Sequence, residues 1–438
     1  MAERDETLVR AVGVRGLAAT AFNVTIGGGI FVLPAVVAGS LGRAAPAAIL
    51  VCALAMALIV LCFAEAGSRV SLTGGPYAYV ETALGPFVGF LAGVLLWLLG
   101  SFATAAVASA FAGSVAALLP VLGAPLARSI VLVALFALLA AVNVTGVRQG
   151  TRLIEVVTVA KLLPLIALVL AGLVVAGARL PSAVSFAAPP AALGRAVIVM
   201  IFMFAGIESA LVPSGELRDP ARTVPRALLI AMTGVTALYL AIQIVAQGVL
   251  GTQALAAETT APLVAVGRAI AGPAGALIIA AGASISMFGQ VSGMTLATPR
   301  ALYAFGRDGF LPGWLAAVHP RFRTPYMAIV VQAGITCVLA ATGNFAQLAI
   351  LANVSVLVLY LLCCVAAWQL QRRDVRAGGI PFRVPGAGVI PLLAVAVILW
   401  ILSHATLREF AVVGAVLAAG SLLFMLTLGR RARAEGIP

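Results

Sequence analysis

Charge is what this chain has least of. Only 9% of its 438 residues are Asp, Glu, Lys or Arg, against 63% that are hydrophobic, and the mean hydropathy is +1.16. Soluble globular domains carry about 25% charged residues, so that class is excluded. Histidine is nearly missing: His319 and His404 stand far apart, near span ends. The five cysteines, Cys52, Cys62, Cys337, Cys363 and Cys364, all fall in apolar runs, where they read as small buried residues. Neither residue type supplies a metal-ligand cluster or a disulfide framework. No nucleophile–base arrangement or phosphate loop occurs either, so neither an enzyme nor a bound cofactor is expected. Lysine is the scarcest of all: Lys161 is the only one among 27 basic residues.

What the chain has in abundance is apolar runs of about 20 residues, each enough to cross a bilayer. About twelve can be placed, at 17–41, 44–68, 86–119, 129–147, 153–176, 195–217, 224–250, 274–305, 325–342, 346–370, 388–404 and 409–429. The expected fold is an all-α integral membrane protein in one transporter domain over 1–438, with short loops and the lipid bilayer as its surroundings. The first run has no small-residue cleavage site and is interrupted by Gly, Asn and Thr, so it reads as a retained span and not a signal peptide. Arginine placement sets the orientation. With the N-terminus inside, the cytoplasmic side collects 20 arginines, Arg4, Arg10, Arg69, Arg218 and Arg307 among them, and the outside 6. Both termini are thus expected to be cytoplasmic, in the inner (plasma) membrane. The net charge of +13 becomes a topology signal. Nucleic acid is not an expected partner, because the arginines are dispersed over many loops.

Two spans are broken in the middle. Span 1 contains Thr25-Ile26-Gly27-Gly28-Gly29-Ile30-Phe31, and three consecutive glycines each weaken a helix by roughly 1 kcal/mol relative to alanine. Non-helical backbone at that depth is tolerated where it is buried or lines a cavity; close packing through small residues is the other reading. Span 6 reads Phe202-Met203-Phe204-Ala205-Gly206-Ile207-Glu208-Ser209, with a glycine and a carboxylate in mid-span. Five spans precede it, so spans 1 and 6 start on opposite sides of the membrane. Interrupted helices in matching positions of oppositely oriented halves point to a binding site at the repeat interface. The repeats would be about 16–176 and about 195–370, with two appended helices at about 388–429.

These marks resemble the amino acid–polyamine–organocation transporter superfamily, over about Gly16 to Trp368. The resemblance is carried by Gly27-Gly28-Gly29-Ile30-Phe31, Gly74-Gly75-Pro76-Tyr77-Ala78-Tyr79, Lys161-Leu162-Leu163-Pro164, Phe204-Ala205-Gly206-Ile207-Glu208, and Arg307-Asp308-Gly309-Phe310-Leu311-Pro312 through His319-Pro320-Arg321. It implies a leucine-transporter-type fold, alternating access, and an amino-acid zwitterion held by the two breaks. Local chemistry at Gly27 and Gly206 fits. The amides of Gly28 and Gly29, at a half-helix N-terminus, suit a substrate carboxylate, and carbonyls around Thr25, Ile26, Phe202 and Ala205 suit an ammonium. The family often has a hydroxyl where this chain has Gly28, leaving the backbone to hold the carboxylate. By the same resemblance Phe202 gates the site, with ordinary packing the other reading. Met294 could wall the pocket, where a thioether fills volume and disfavours long or charged side chains, or pack in the core.

The resemblance also implies a role for the lysine. Sodium-coupled relatives hold a cation between helices 1 and 8, and several sodium-independent members place a lysine of helix 5 there. Lys161 matches, with the carbonyls near Gly27 and the span 8 residues Ser286 and Gln290 as partners. Such a tethered cation either exchanges a proton during the cycle, giving proton-coupled symport, or stays charged as a brace in an exchanger or facilitator; snorkelling to an interface is the third possibility. Glu208 is open to two roles, capping amides after the Gly206 break or carrying a proton. The apolar pocket favours small or medium neutral L-amino acids. The alternatives are an exchanger or a cationic amino acid/polyamine antiporter, and, in a different class, a membrane sensor or assembly subunit that does not transport.

Overall fold

The computed structural model describes residues 12–180, 185, 190–258, 261–343, 345–376, 379–384, 386 and 388–434. Arg4 and Arg10, counted in the orientation argument, lie outside the described residues. Helices follow one another as α1 (Val14–Thr25), α2 (Gly29–Leu41), α3 (Ala45–Arg69), α4 (Pro76–Leu84), α5 (Pro86–Leu118), α6 (Pro125–Thr145), α7 (Val147–Ala176) and α8 (Pro190–Phe204). Then come α9 (Pro220–Leu250), α10 (Thr252–Ala257), α11 (Pro262–Ala297), α12 (Pro299–Arg307), α13 (Tyr326–Thr342), α14 (Phe345–Arg372), α15 (Val389–Leu402) and α16 (Leu407–Ala434). Among the described residues the only β pairing is an isolated bridge, Val12 with Leu217. Among the described residues, eight helical stretches are long and apolar enough to cross a bilayer, and three shorter apolar helices accompany them. The architecture is that of an all-α membrane protein.

Proline and glycine punctuate this chain as their backbone limits require. Gly85 has φ 91°, a conformation that costs glycine little, and its amide donates to Glu81 O at 2.9 Å to close α4. Pro86 then opens α5 at a position whose N–H would be unpaired in any case.

Two expected spans differ in outline. Span 6 is expected to break at Gly206 and to resume as a half-helix to 217. Instead α8 stops at Phe204, and the chain continues as turns and two 3₁₀ segments, Ser209–Leu211 and Ser214–Glu216. Gly206 (φ 116°) and Pro213, which lacks an amide hydrogen, prevent an α-helix from resuming. Span 8 was expected at 274–305. The helix begins earlier, at Pro262, kinks at Ala271–Gly272 ahead of Pro273, and hands over to α12 at Pro299.

Helix α1 packs against α7, α9 and α11, while α14 lies along α5 and α3. Helix α7 shows how the sequence sorts its faces. Ile154, Val157, Thr158, Lys161, Leu165 and Leu168 are buried, at the three-to-four residue spacing of one helix face, whereas Val156, Val159, Leu163, Ile166 and Leu170 are exposed. A helix apolar all round, with one face left to the surroundings, suits a lipid boundary. Lys161 is on the inner face.

Candidate functional site

The last carbonyls of a helix lack intrahelical partners, and at the end of α1 other helices supply them. Lys161 Nζ on α7 donates to Asn23 O at 2.7 Å and also to Ile26 O. Ser286 Oγ on α11 donates toward Ile26 O (3.1 Å) and Gly27 O (3.4 Å). The Tyr239 hydroxyl on α9 lies 2.9 Å from Met203 O and 3.1 Å from Thr25 O, and so joins both interrupted helices. Lys161 is 0% exposed, and among the described residues no carboxylate pairs with it. The partial negative charge at the C-terminus of α1 stabilises the ammonium in place of a counter-ion.

The two breaks touch. A Cβ on Gly206 would sit 2.5 Å from Val24 O, so glycine is needed there both for its φ and for this contact. Glu208 closes the second break on itself: its carboxylate accepts from Gly206 N at 2.8 and 3.0 Å and from the Tyr360 hydroxyl at 2.7 Å, with Ser209 Oγ at 3.5 Å. The carboxylate thus holds an amide before it, and not the amides of a following half-helix, because no α-helix follows.

Beside the second break is a cavity of about 10 Å³ lined by Leu99, Ala103, Phe202, Ala205, Gly206, Gln290 and Met294. That volume holds about one water molecule. Phe202 and Met294, named from the sequence, are both lining residues. Gln290 is not where the sequence reading put it. Its Oε1 accepts from Gly28 N at 3.3 Å, on the cavity side, whereas Lys161 donates to carbonyls of span 1 near Gly27, the other partners named for it. Ile26 also departs from expectation, since its carbonyl, proposed for a substrate ammonium, already accepts from Lys161 and Ser286. Gly28 is roomier than its neighbours, its nearest Cβ contact being Met287 Cε at 3.7 Å, while a Cβ on Gly29 would meet Met203 and Phe202 at 3.4 Å. Thr25 Oγ1 and Asn23 Oδ1 are buried without a hydrogen-bond partner.

Sequence reading missed Asn23, Tyr239, Tyr360, Leu99 and Ala103. Asn23, Tyr239 and Tyr360 carried a usable signal, as polar side chains within apolar spans; Leu99 and Ala103 carried none.

Below the breaks, on the face bearing Arg69 and Arg300, polar contacts seal the bundle. Arg300 Nε pairs with Glu216 at 3.1 Å, both side chains under 5% exposed. Val12 N donates to Glu216 O (3.0 Å) and Arg218 N to Val12 O (2.9 Å), stapling the segment before α1 to the end of span 6. The two loop motifs meet here: Tyr77 donates to Asp308 Oδ2 at 2.7 Å, Gly74 N to Val212 O at 2.8 Å, and Tyr79 and Ser214 hydroxyls lie 3.2 Å apart.

Comparison with known proteins places the chain in a family. Residues 12–428 match the family described as amino acid permease. An uncharacterized transporter of Mycobacterium tuberculosis is 30% identical over 98% of this chain and 94% of its own length. A serine/threonine exchanger of Bacillus subtilis is 26% identical over 90% of this chain and 91% of its own. A branched-chain amino acid permease of the same bacterium is 27% identical over 89% and 87%. The matches are to transporters and not to enzymes. With a match over nearly its whole length, a bundle of apolar helices and two interrupted helices in contact at their breaks, this chain belongs to the amino acid permease family and is a multi-pass membrane protein of amino acid transport.

Proposed function

We propose that this protein carries small or medium neutral L-amino acids across the plasma membrane by alternating access, coupled to protons, with Lys161 in the place of a sodium ion. The observation that carries the reading is the Lys161 ammonium lodged on Asn23 O and Ile26 O at the end of α1, beside the Gly28 amide. A covalently held cation at that point does the electrostatic work of a metal ion, holding the first break open for a substrate carboxylate at Gly28 and Gly29. Thr25, with its buried hydroxyl, and the Phe202 and Ala205 carbonyls would take the ammonium end. Two inverted repeats, at about 16–176 and 195–370, account for one break in each half. Orientation follows from the arginines: the face sealed by Arg300 and Glu216 is cytoplasmic, as are both termini.

Substrate class rests on the cavity. Its side chains are apolar apart from Gln290, and the carboxylate of Glu208, two residues past the lining Gly206, is spent on Gly206 and Tyr360. A cationic side chain or a polyamine would find no counter-charge, which argues against antiport of such substrates. The relatives named for serine/threonine exchange and branched-chain amino acids fall in the neutral class. The first of them supports a second reading, exchange with Lys161 as a permanent brace.

Proteoliposomes decide between the two. Symport requires uptake of labelled L-serine, L-alanine or L-leucine to rise with an inward proton gradient and no internal amino acid. Full activity from internal substrate, with no response to the gradient, refutes proton coupling and leaves exchange. Absence of any amino acid flux or binding would favour a sensor or assembly subunit and overturn the proposal.

A further inference from the structure

Gln290 sits where the proposed substrate carboxylate would sit. Its Oε1 accepts from the Gly28 amide at 3.3 Å, and a Cβ on Gly27 would collide with that same side-chain amide. The side chain therefore fills a hollow that only a glycine leaves. It is 5% exposed and is the one polar side chain lining the cavity. An amide carbonyl oxygen offers an N–H the same kind of lone pair as one oxygen of a carboxylate, without the charge. Helix α11 thus grips the first break twice, one turn apart: Ser286 holds its carbonyls and Gln290 holds an amide.

We infer that Gln290 is a tethered stand-in for the substrate carboxylate, seated on Gly28 when no substrate is bound and displaced by the incoming zwitterion, so that it sets the affinity of the site. The inference rests on the proposed carboxylate site at Gly28 and Gly29. The cavity of about 10 Å³ admits about one water, so a lining side chain must move before an amino acid enters. Gln290 is the one whose departure also frees a donor. A charge-assisted hydrogen bond is roughly twice as strong as a neutral one, so a carboxylate displaces the amide. The competition still reduces apparent affinity by the fraction of molecules in which the seat is taken. With one neutral hydrogen bond at stake, that reduction is about 2- to 10-fold.

The test uses the purified full-length protein and its variants Gln290→Met, which keeps volume without the acceptor, Gln290→Ala, and Gln290→Glu, a charged and stronger competitor. Calorimetric binding is measured for L-alanine, L-serine and L-leucine, and for ethylamine, ethanolamine and isoamylamine, which lack the carboxylate. Gln290→Met and Gln290→Ala are expected to tighten amino acid binding about 2- to 10-fold and to leave binding of the amines unchanged, and Gln290→Glu to weaken amino acid binding. Weaker or unaltered amino acid binding in both Gln290→Met and Gln290→Ala overturns the inference, since the side chain is then a ligand or a bystander. Equal tightening toward the amines also overturns it, showing that the variants merely enlarged the cavity. A wild-type protein that binds no amino acid instead removes the proposed function on which the inference rests.

Discussion

Replacing Lys161 by methionine keeps most of the side-chain volume and removes the charge. Two opposing terms follow. Burying an ammonium without a carboxylate costs several kcal/mol of desolvation, which the variant no longer bears. Against this, Asn23 O loses the Lys161 hydrogen bond, and an unsatisfied buried carbonyl costs about 1–3 kcal/mol; Ile26 O keeps Ser286. Global stability should therefore change little, and the purified variant should melt close to the wild type. Transport should not be spared. The carbonyls at the end of α1 would face one another without a cation, and the break would relax away from the geometry that presents Gly28 and Gly29. A penalty of about 1–3 kcal/mol on the competent state corresponds to roughly a 5- to 150-fold loss of flux. The assay is initial uptake of labelled amino acid into proteoliposomes at matched protein content, beside a thermal melt. Lys161→Ala, which vacates the position, should lose flux similarly and recover part of it in sodium. A Lys161→Met protein that is folded and transports at the wild-type rate would refute the reasoning.

Gly206→Ala should destabilise by about 1–3 kcal/mol, because alanine is strained at φ 116° and its Cβ would press on Val24 O; a lowered melting temperature with lost uptake checks it. Glu216→Ala leaves Arg300 buried without its partner, a change that costs about 3–5 kcal/mol, and should open the sealed face. Faster maleimide labelling of Ser214→Cys, in a background without the five native cysteines, would report this. In the loop after α14, the guanidinium of Arg376 beside Asp374 holds its carboxyl below the usual carboxylate range, with Arg383 and Arg69 adding to the effect. A carboxyl whose pKa is depressed on folding stabilises above its unfolded pKa of about 3.9 and loses that contribution as pH falls through the lower folded value. Asp374→Asn should remove this part of the acid sensitivity in melts taken from about pH 5 to 3.

The sequence made the breaks legible because glycine runs and lone polar residues are rare events within apolar spans. Gly27 to Gly29, Gly206 and Glu208, and Lys161 stand out for that reason, before any neighbour is known. Partners were harder. Gln290 and Ser286 are one turn apart on the same helix face, so spacing could not say that Ser286 meets carbonyls while Gln290 meets an amide. Asn23 and Gly289, bonded at 2.5 Å, are 266 residues apart, and Tyr360 reaches Glu208 across 152. Pairings of that range leave no periodic trace in one sequence.

Composition and apolar run length determined a helical membrane protein on their own, because the bilayer accepts only backbone that satisfies itself, and helix propensity determined where two helices would fail. Which way Lys161 faces was settled by packing, as α7 is apolar on both sides and contact with α1, α9 and α11 distinguishes them. That Gln290 rests in the hollow at Gly27, and that Tyr239 ties one interrupted helix to the other, likewise came from tertiary contact. Such contacts depend on distances between segments far apart in the chain, and those distances exist only once the bundle has formed.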